Sequence, residues 1–103
     1  MATYLYLVQM DIPADKEAEF NRIYDTQHVP ALSKVPGVRG VKRYVLESSD
    51  VEGVARYAAL YELDSPDVPE SEAWLAAAEL GDWVSQIRPH TTNRSHLTLR
   101  ELS

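Results

Sequence analysis

Two segments of this chain, TYLYLVQMDI at residues 3–12 and VARYAALYEL at 54–63, are rich in β-forming residues and apolar on both sides of the extended backbone. In the first, Tyr4, Tyr6, Val8, Met10 and Ile12 point one way and Leu5 and Leu7 the other. A strand with that pattern must be covered twice, so whatever sheet it joins needs a layer on each face. With 103 residues the chain is long enough for one domain, residues 1–103, and short enough to gain from a partner subunit.

The segments between the strands supply one of the two layers. Pro13 opens PADKEAEFNRIYDTQHVPALSKV, whose acidic first turn (Asp15, Glu17, Glu19) suits the positive end of a helix dipole. Phe20, Ile23, Tyr24, Gln27, His28 and Ala31 recur at helical spacing, so the stripe facing the core runs through the histidine. Pro30 cannot donate to the carbonyl four residues back and should perturb or end the regular helix, and Pro36-Gly37 closes the segment with a turn. VKRYVLES, 41–48, and the 54–63 segment form a predicted hairpin across the polar stretch SDVEG. SPDVPESEAWLAAAELGDWVSQIRPH then carries helix signals: Asp67 with Glu70 resembles a capping box, and Ser71 is a second cap candidate. Its expected buried stripe is Trp74, Ala77, Ala78, Gly81, Val84 and Ile87 or Arg88, and Pro89 stops it. SHLTLREL, 95–102, alternates as a last strand, with Leu97 and Leu99 on one side and His96, Thr98 and Arg100 on the other.

The predicted order is strand, helix, strand, strand, helix, strand. That is the ferredoxin-like βαββαβ arrangement of the α+β class, a four-stranded antiparallel sheet with both helices on one face. Helices on one face leave the other bare, and the second covering layer is then expected to be another copy of the chain, sheet against sheet.

Composition removes several function classes. A net charge of −6 with scattered Lys and Arg repels a phosphate backbone, so nucleic acid is not an expected partner. No apolar run approaches the ~20 residues of a membrane helix, and MATYLYLVQMDIP lacks a basic leader, so a cytoplasmic protein with no membrane partner is expected. Without cysteine there is no disulfide, thiolate nucleophile or thiolate metal site. His28, His90 and His96 show no paired-ligand spacing, so no metal site is expected, and PGVRG precedes a strand in the wrong order for a phosphate loop.

The run EFNRIYDTQHVPALSKVPGVRGVKRYVL, followed by ALYEL, AWLAAAELGDW and IRPH, resembles the EthD-like branch of the dimeric α/β-barrel superfamily. The likeness spans nearly the whole chain. Its most specific part is Tyr24, Asp25, His28, Val29, Pro30, Pro36, Gly37, Val38, Arg43 and Tyr44. The resemblance implies dimers of ferredoxin-like subunits, each with a cavity between sheet and helices. It also implies chemistry on small, often aromatic molecules by cofactor-free oxygenases, isomerases, cyclases or dehydratases. This chain departs from similar sequences in having Ile23 where tryptophan is frequent and Gln27 where a carboxylate often precedes the histidine.

His28 is the candidate general acid or base, since its ordinary pKa of about 6.5 lies near operating pH. The competing structural role is a hydrogen bond to a free carbonyl at a helix end. Asp25, or a backbone carbonyl, is the candidate orienting group, and Tyr24, Tyr61 and Trp74 are the candidate pocket walls. Arg43 would neutralise a carboxylate or enolate of the substrate, or else pair with one of the chain's sixteen acids on the surface. Haem, held by a single histidine as in some relatives, is disfavoured. The expectation is a homodimeric, cofactor-independent enzyme moving a proton on a hydrophobic, aromatic or polyketide-like molecule. The alternative is a dimeric protein that binds such a molecule without changing it.

Overall fold

A computed structural model describes residues 3–102. Four antiparallel strands, β1 (Tyr4–Asp11), β2 (Val38–Val45), β3 (Tyr57–Leu63) and β4 (Thr92–Arg100), form one sheet in the order β2-β3-β1-β4. The β2-β3 pair is the expected hairpin, and the two-fold covered segments β1 and β3 lie at the centre of the sheet, as their apolar faces require. β2 begins at Val38, three residues ahead of the predicted start, because the Pro36-Gly37 turn leads straight into it. Gly37 sits at φ +95°, and a Cβ there would collide with Val68.

Helices cover one face of the sheet. On that side Val8, Met10, Tyr57, Ala59, Tyr61 and Leu63 are buried against Phe20, Ile23, Leu32, Trp74, Trp83 and Ile87. The first helical segment runs as α1 (Glu17–Ile23), a π-helical turn (Tyr24–His28) and α2 (Val29–Ser33) without a break. Pro30 therefore perturbs the helix and does not end it. Its missing N–H leaves a bond unmade, and the turn before it widens so that the Val29 N–H donates to the carbonyl of Tyr24, five residues back. The extra residue shifts the buried stripe: after Phe20, Ile23 and Tyr24 the core positions are His28 and Leu32, while Gln27 and Ala31 are half-buried.

The second segment departs further from the predicted single helix. Ser71 caps α3 (Glu72–Ala78), its Oγ accepting the Trp74 N–H at 3.2 Å and donating to the Val68 carbonyl at 2.7 Å. Asp67 heads only a short 3-10 turn and makes no side-chain cap. The helix stops before Gly81, which takes φ +72°, and a separate π-helical segment, Trp83–Ile87, follows. That break resets the helical phase, which is why Trp83 is buried although it lies off the predicted stripe.

The molecule measures 42 × 35 × 17 Å. Its short dimension holds one sheet and one helical layer, so the far face of the sheet has nothing of its own to cover it. Leu5, Leu7, Leu60, Leu97 and Leu99 occupy that face in register, and Leu97 and Leu99 are 44% and 46% exposed. Among the described residues no helix is long and apolar enough to cross a membrane.

Candidate functional site

The π turn places His28 on the inner side of the first helical segment, 6% exposed, where its ring meets the aromatic core. Its imidazole stacks on the Trp83 indole, with 4.3 Å between centroids and 22° between planes, and meets Tyr24 edge-on at 4.9 Å. The ring borders a cavity of about 220 Å³ between the sheet and the helices. Of the positions expected in the site, the structure gathers four around this hollow: His28, Tyr24, Tyr61 and Trp74. The Tyr24 and Tyr61 hydroxyls lie 3.1 Å apart, so each gives the other a partner, and the Tyr61 ring lies edge-on to Trp74 at 5.0 Å. Burial raises the pKa of both phenols, Tyr61 well above its usual value, which keeps them protonated as hydrogen-bonding groups.

His28 itself is driven the other way. Burial, reinforced by the positive charges of Arg88 and Arg94, lowers its pKa from 6.5 to about 4. At neutral pH it is an uncharged imidazole, able to accept a proton and carrying none to spare beyond its one N–H. Its Nδ1 is buried with no hydrogen-bond partner among the described residues.

Two expected members lie elsewhere. Asp25 is exposed, 61% by its side chain, and accepts from Arg43 Nη1 at 2.8 Å; no hydrogen bond or ion pair joins it to His28. Arg43 in turn donates to Asn21 at 2.8 Å and lies over the Phe20 and Tyr24 rings, its guanidinium carbon 4.5 Å from the Tyr24 centroid. It does not border the cavity that His28 does. Asp25 and Arg43, expected as orienting and substrate-anchoring groups, form a mutual ion pair that braces the first helix on β2. The sequence offered no means of separating these cases, because an acid one helical turn from a histidine and an acid facing a strand arginine look the same in one dimension.

Gln27, the departure before the histidine, acts as a clamp. Its Nε2 donates to Asp82 Oδ2 at 2.9 Å and its Oε1 accepts the Asp82 backbone N–H at 2.7 Å, tying the π turn to the start of the Trp83–Ile87 segment. A carboxylate in place of the amide would face the Asp82 carboxylate, so the neutral residue is the one this packing requires.

The residues missed are Tyr6, Trp83, Arg88, Arg94 and His96, all bordering the cavity. Strand parity carried a signal for Tyr6 and His96, since Val8 pairs with His96 on the inner face. Tyr6 stands 5.6 Å from Trp74, edge-on, and 5.8 Å from His96. Among the described residues no group of three or more His, Cys, Asp or Glu is placed to hold a metal ion.

No family model matches the chain, and no characterised protein matches it by sequence. Solved structures do match. An ethyl tert-butyl ether D (EthD) family protein from Bacillus halodurans is 20% identical, with a TM-score of 0.67 over 99% of this chain and 100% of that one. The haem degrader MhuD from Mycobacterium tuberculosis, with two haems in its active site, is 19% identical, with a TM-score of 0.65 over 97% and 96%. SnoaB, a cofactor-independent oxygenase from Streptomyces nogalater, is 14% identical, with a TM-score of 0.62 over 94% and 90%. The fold is therefore the ferredoxin-like one, and its structural neighbours include an EthD family protein, as the sequence resemblance implies, and a dimeric ferredoxin-like protein from Thermobifida fusca.

The haem-binding neighbour makes haem worth testing against the geometry. The cavity as formed does not fit one. About 220 Å³ lies below the ~300–1,000 Å³ of pockets for drug-sized ligands, and a haem is larger than most of those.

Proposed function

We propose that this chain is a small-molecule enzyme in which His28, acting without a cofactor, takes a proton from a C–H or O–H of a bound, flat, largely hydrophobic substrate. The observation behind the proposal is an uncharged imidazole whose ring stands in the wall of an aromatic hollow. At a carbon next to a carbonyl, His28 takes the proton and the C–H electron pair moves onto the carbonyl oxygen as an enolate; the imidazolium then returns the proton to another carbon in an isomerisation, to the alkoxide formed when the enolate carbon bonds to a second carbonyl in a cyclisation, or to a β-hydroxyl that leaves as water in a dehydration. Of the Tyr24 and Tyr61 hydroxyls, one donates to the other, and the O–H left over supplies a hydrogen bond to the developing oxyanion. Attack of the enolate on dioxygen is the oxygenase version of the same first step, in line with the activity named for SnoaB.

The working unit in this proposal is a homodimer joined through the exposed leucine face of the sheet. A binding role without turnover is the second reading. It is favoured by the lack of any carboxylate on His28, since Asp25 is taken up by Arg43.

The test is deuterium exchange in D2O, followed by NMR, at the benzylic carbon of phenylpyruvate, a one-ring enolisable probe. Exchange accelerated by the protein and slowed 100-fold or more by His28→Ala supports proton abstraction. Equal acceleration by a folded His28→Ala variant removes His28 from the chemistry, and bound probe that never exchanges selects the binding role.

A further inference from the structure

The wall of the His28 cavity holds two arginines and no acid. Arg88, at the end of the Trp83–Ile87 segment, and Arg94, on β4, both border it, and no Asp or Glu does. In a chain with sixteen acids against ten bases that imbalance is unexpected. Arg22, Arg39, Arg43 and Arg56 each pair with a carboxylate, whereas neither Arg88 nor Arg94 has one within 4.0 Å among the described residues. Arg88 and Arg94 thus reach one hollow from different elements. Both act on His28, and Arg94 also acts on Tyr6, Tyr24 and His96, so its charge is felt across the cavity.

The placement of Arg94 is built into the sheet. Between the pairs Gln9 with Ser95 and Asp11 with Thr92, β1 supplies one residue, Met10, where β4 supplies two, Asn93 and Arg94. This is a β-bulge, and its first residue, Asn93, takes φ +52°, a conformation that costs a non-glycine residue energy. The Asn93 side chain holds it, donating to Asp11 at 3.1 Å and to the Gly53 carbonyl at 2.8 Å. Arg94 stands two residues from His96, so strand alternation sets both on the inner face at the cavity edge, and the bulge ends the regular pairing just beyond it.

We propose that the ligand of this cavity is a one-ring aromatic acid whose carboxylate is held by Arg88 and Arg94 while its ring lies among Tyr6, Trp74 and Trp83. The proposal rests on the reading of this hollow as the substrate site. Guanidinium groups match the planar carboxylate in charge and geometry, and the aromatic walls match a flat ring. The size of the hollow sets the limit at one ring with short substituents. The anion-neutralising role expected of Arg43 is thereby assigned to a different pair. A bound carboxylate also offsets the positive charges that disfavour protonation of His28, so substrate binding itself makes the base stronger.

The experiment measures binding of benzoate and of its uncharged counterpart benzamide by NMR titration at low salt, in the wild-type protein and in Arg88→Gln, Arg94→Gln and the double variant. Arg94→Lys keeps the charge, and Arg22→Gln, a remote surface change, serves as the control. Expected is a preference for benzoate of tenfold or more, weakened in each single variant, abolished in the double variant, and retained in part by Arg94→Lys and in full by Arg22→Gln. Equal binding of the two probes, binding of neither, or a preference that survives the double variant overturns the proposal. His28→Ala separates the two readings: a benzoate preference that persists in it alongside absent probe exchange leaves the anion site standing and the proton-transfer reading fallen.

Discussion

The imidazole of His28 lies stacked on the indole of Trp83, 4.3 Å between centroids, at a point where the surrounding structure gives its Nδ1 no partner. A protonated ring here would be a buried cation with two arginines near it and no acid beside it. With a folded pKa of about 4 against 6.5 for the free side chain, the unfolded chain binds the proton more readily between those values. Protonation of His28 therefore costs nothing above pH 6.5, and stability falls as pH drops from 6.5 toward 4, by up to about 3 kcal/mol. Urea unfolding of wild type and His28→Gln at pH 7.5 and 5 should show the wild type losing more stability over that interval. Parallel losses in the two proteins would mean that His28 titrates normally.

Gln27 and Asp82 make a reciprocal pair, and a carboxylate at position 27 breaks it. Gln27→Glu sets two carboxylates against each other and is expected to destabilise by about 1–3 kcal/mol at pH 7.5, with less loss at pH 4, where one carboxylate takes up a proton. Adding Asp82→Asn should restore part of the loss, since an amide again faces a carboxylate. A thermal-melt cycle over the four proteins reads the coupling, and additive effects would mean that the clamp contributes nothing.

Gly81 and Gly53 both have positive φ, +72° and +81°, yet only Gly81 has a neighbour in the way. Gly53→Ala should cost about 1–2 kcal/mol for the left-handed backbone alone. Gly81→Ala carries the same strain and also pushes its Cβ into the Gln27 side chain, so it should cost more and displace the Trp83 segment. Equal losses in the two variants, measured by urea unfolding, would show that the contact is relieved freely.

The exposed leucines on the far face of the sheet give a separate prediction. In an isolated subunit Leu97→Asp with Leu99→Asp changes two half-exposed side chains and should cost little beyond ~0.5 kcal/mol each. In a dimer joined through that face it buries like charges against each other. Sedimentation velocity at micromolar concentration should find wild type as a dimer and the double variant as a folded monomer. A monomeric wild type would remove the proposed interface.

Much of this architecture was legible in one dimension because it depends on period. Alternation in β1, β3 and β4 and helical spacing through Phe20, Ile23 and Tyr24 report which side of each element is apolar, and the order of elements then leaves few ways to arrange them. The same alternation placed Leu97 and Leu99 opposite His96. What failed did so where a local irregularity shifts the phase. The π turn before Pro30 exchanged Ala31 for Leu32, and Gly81 cut the second helix and turned Trp83 inward.

The burial of His28 was legible in the sequence, and Tyr24, Tyr61 and Trp74 were candidates for its surroundings, since apolar periodicity and covalent order decide which faces meet. Only the tertiary structure decided the charges around that ring. Asp25 turned to Arg43 while Arg88 and Arg94 came to the cavity without an acid, because electrostatic partners are chosen by distance in space and no spacing along the chain encodes it.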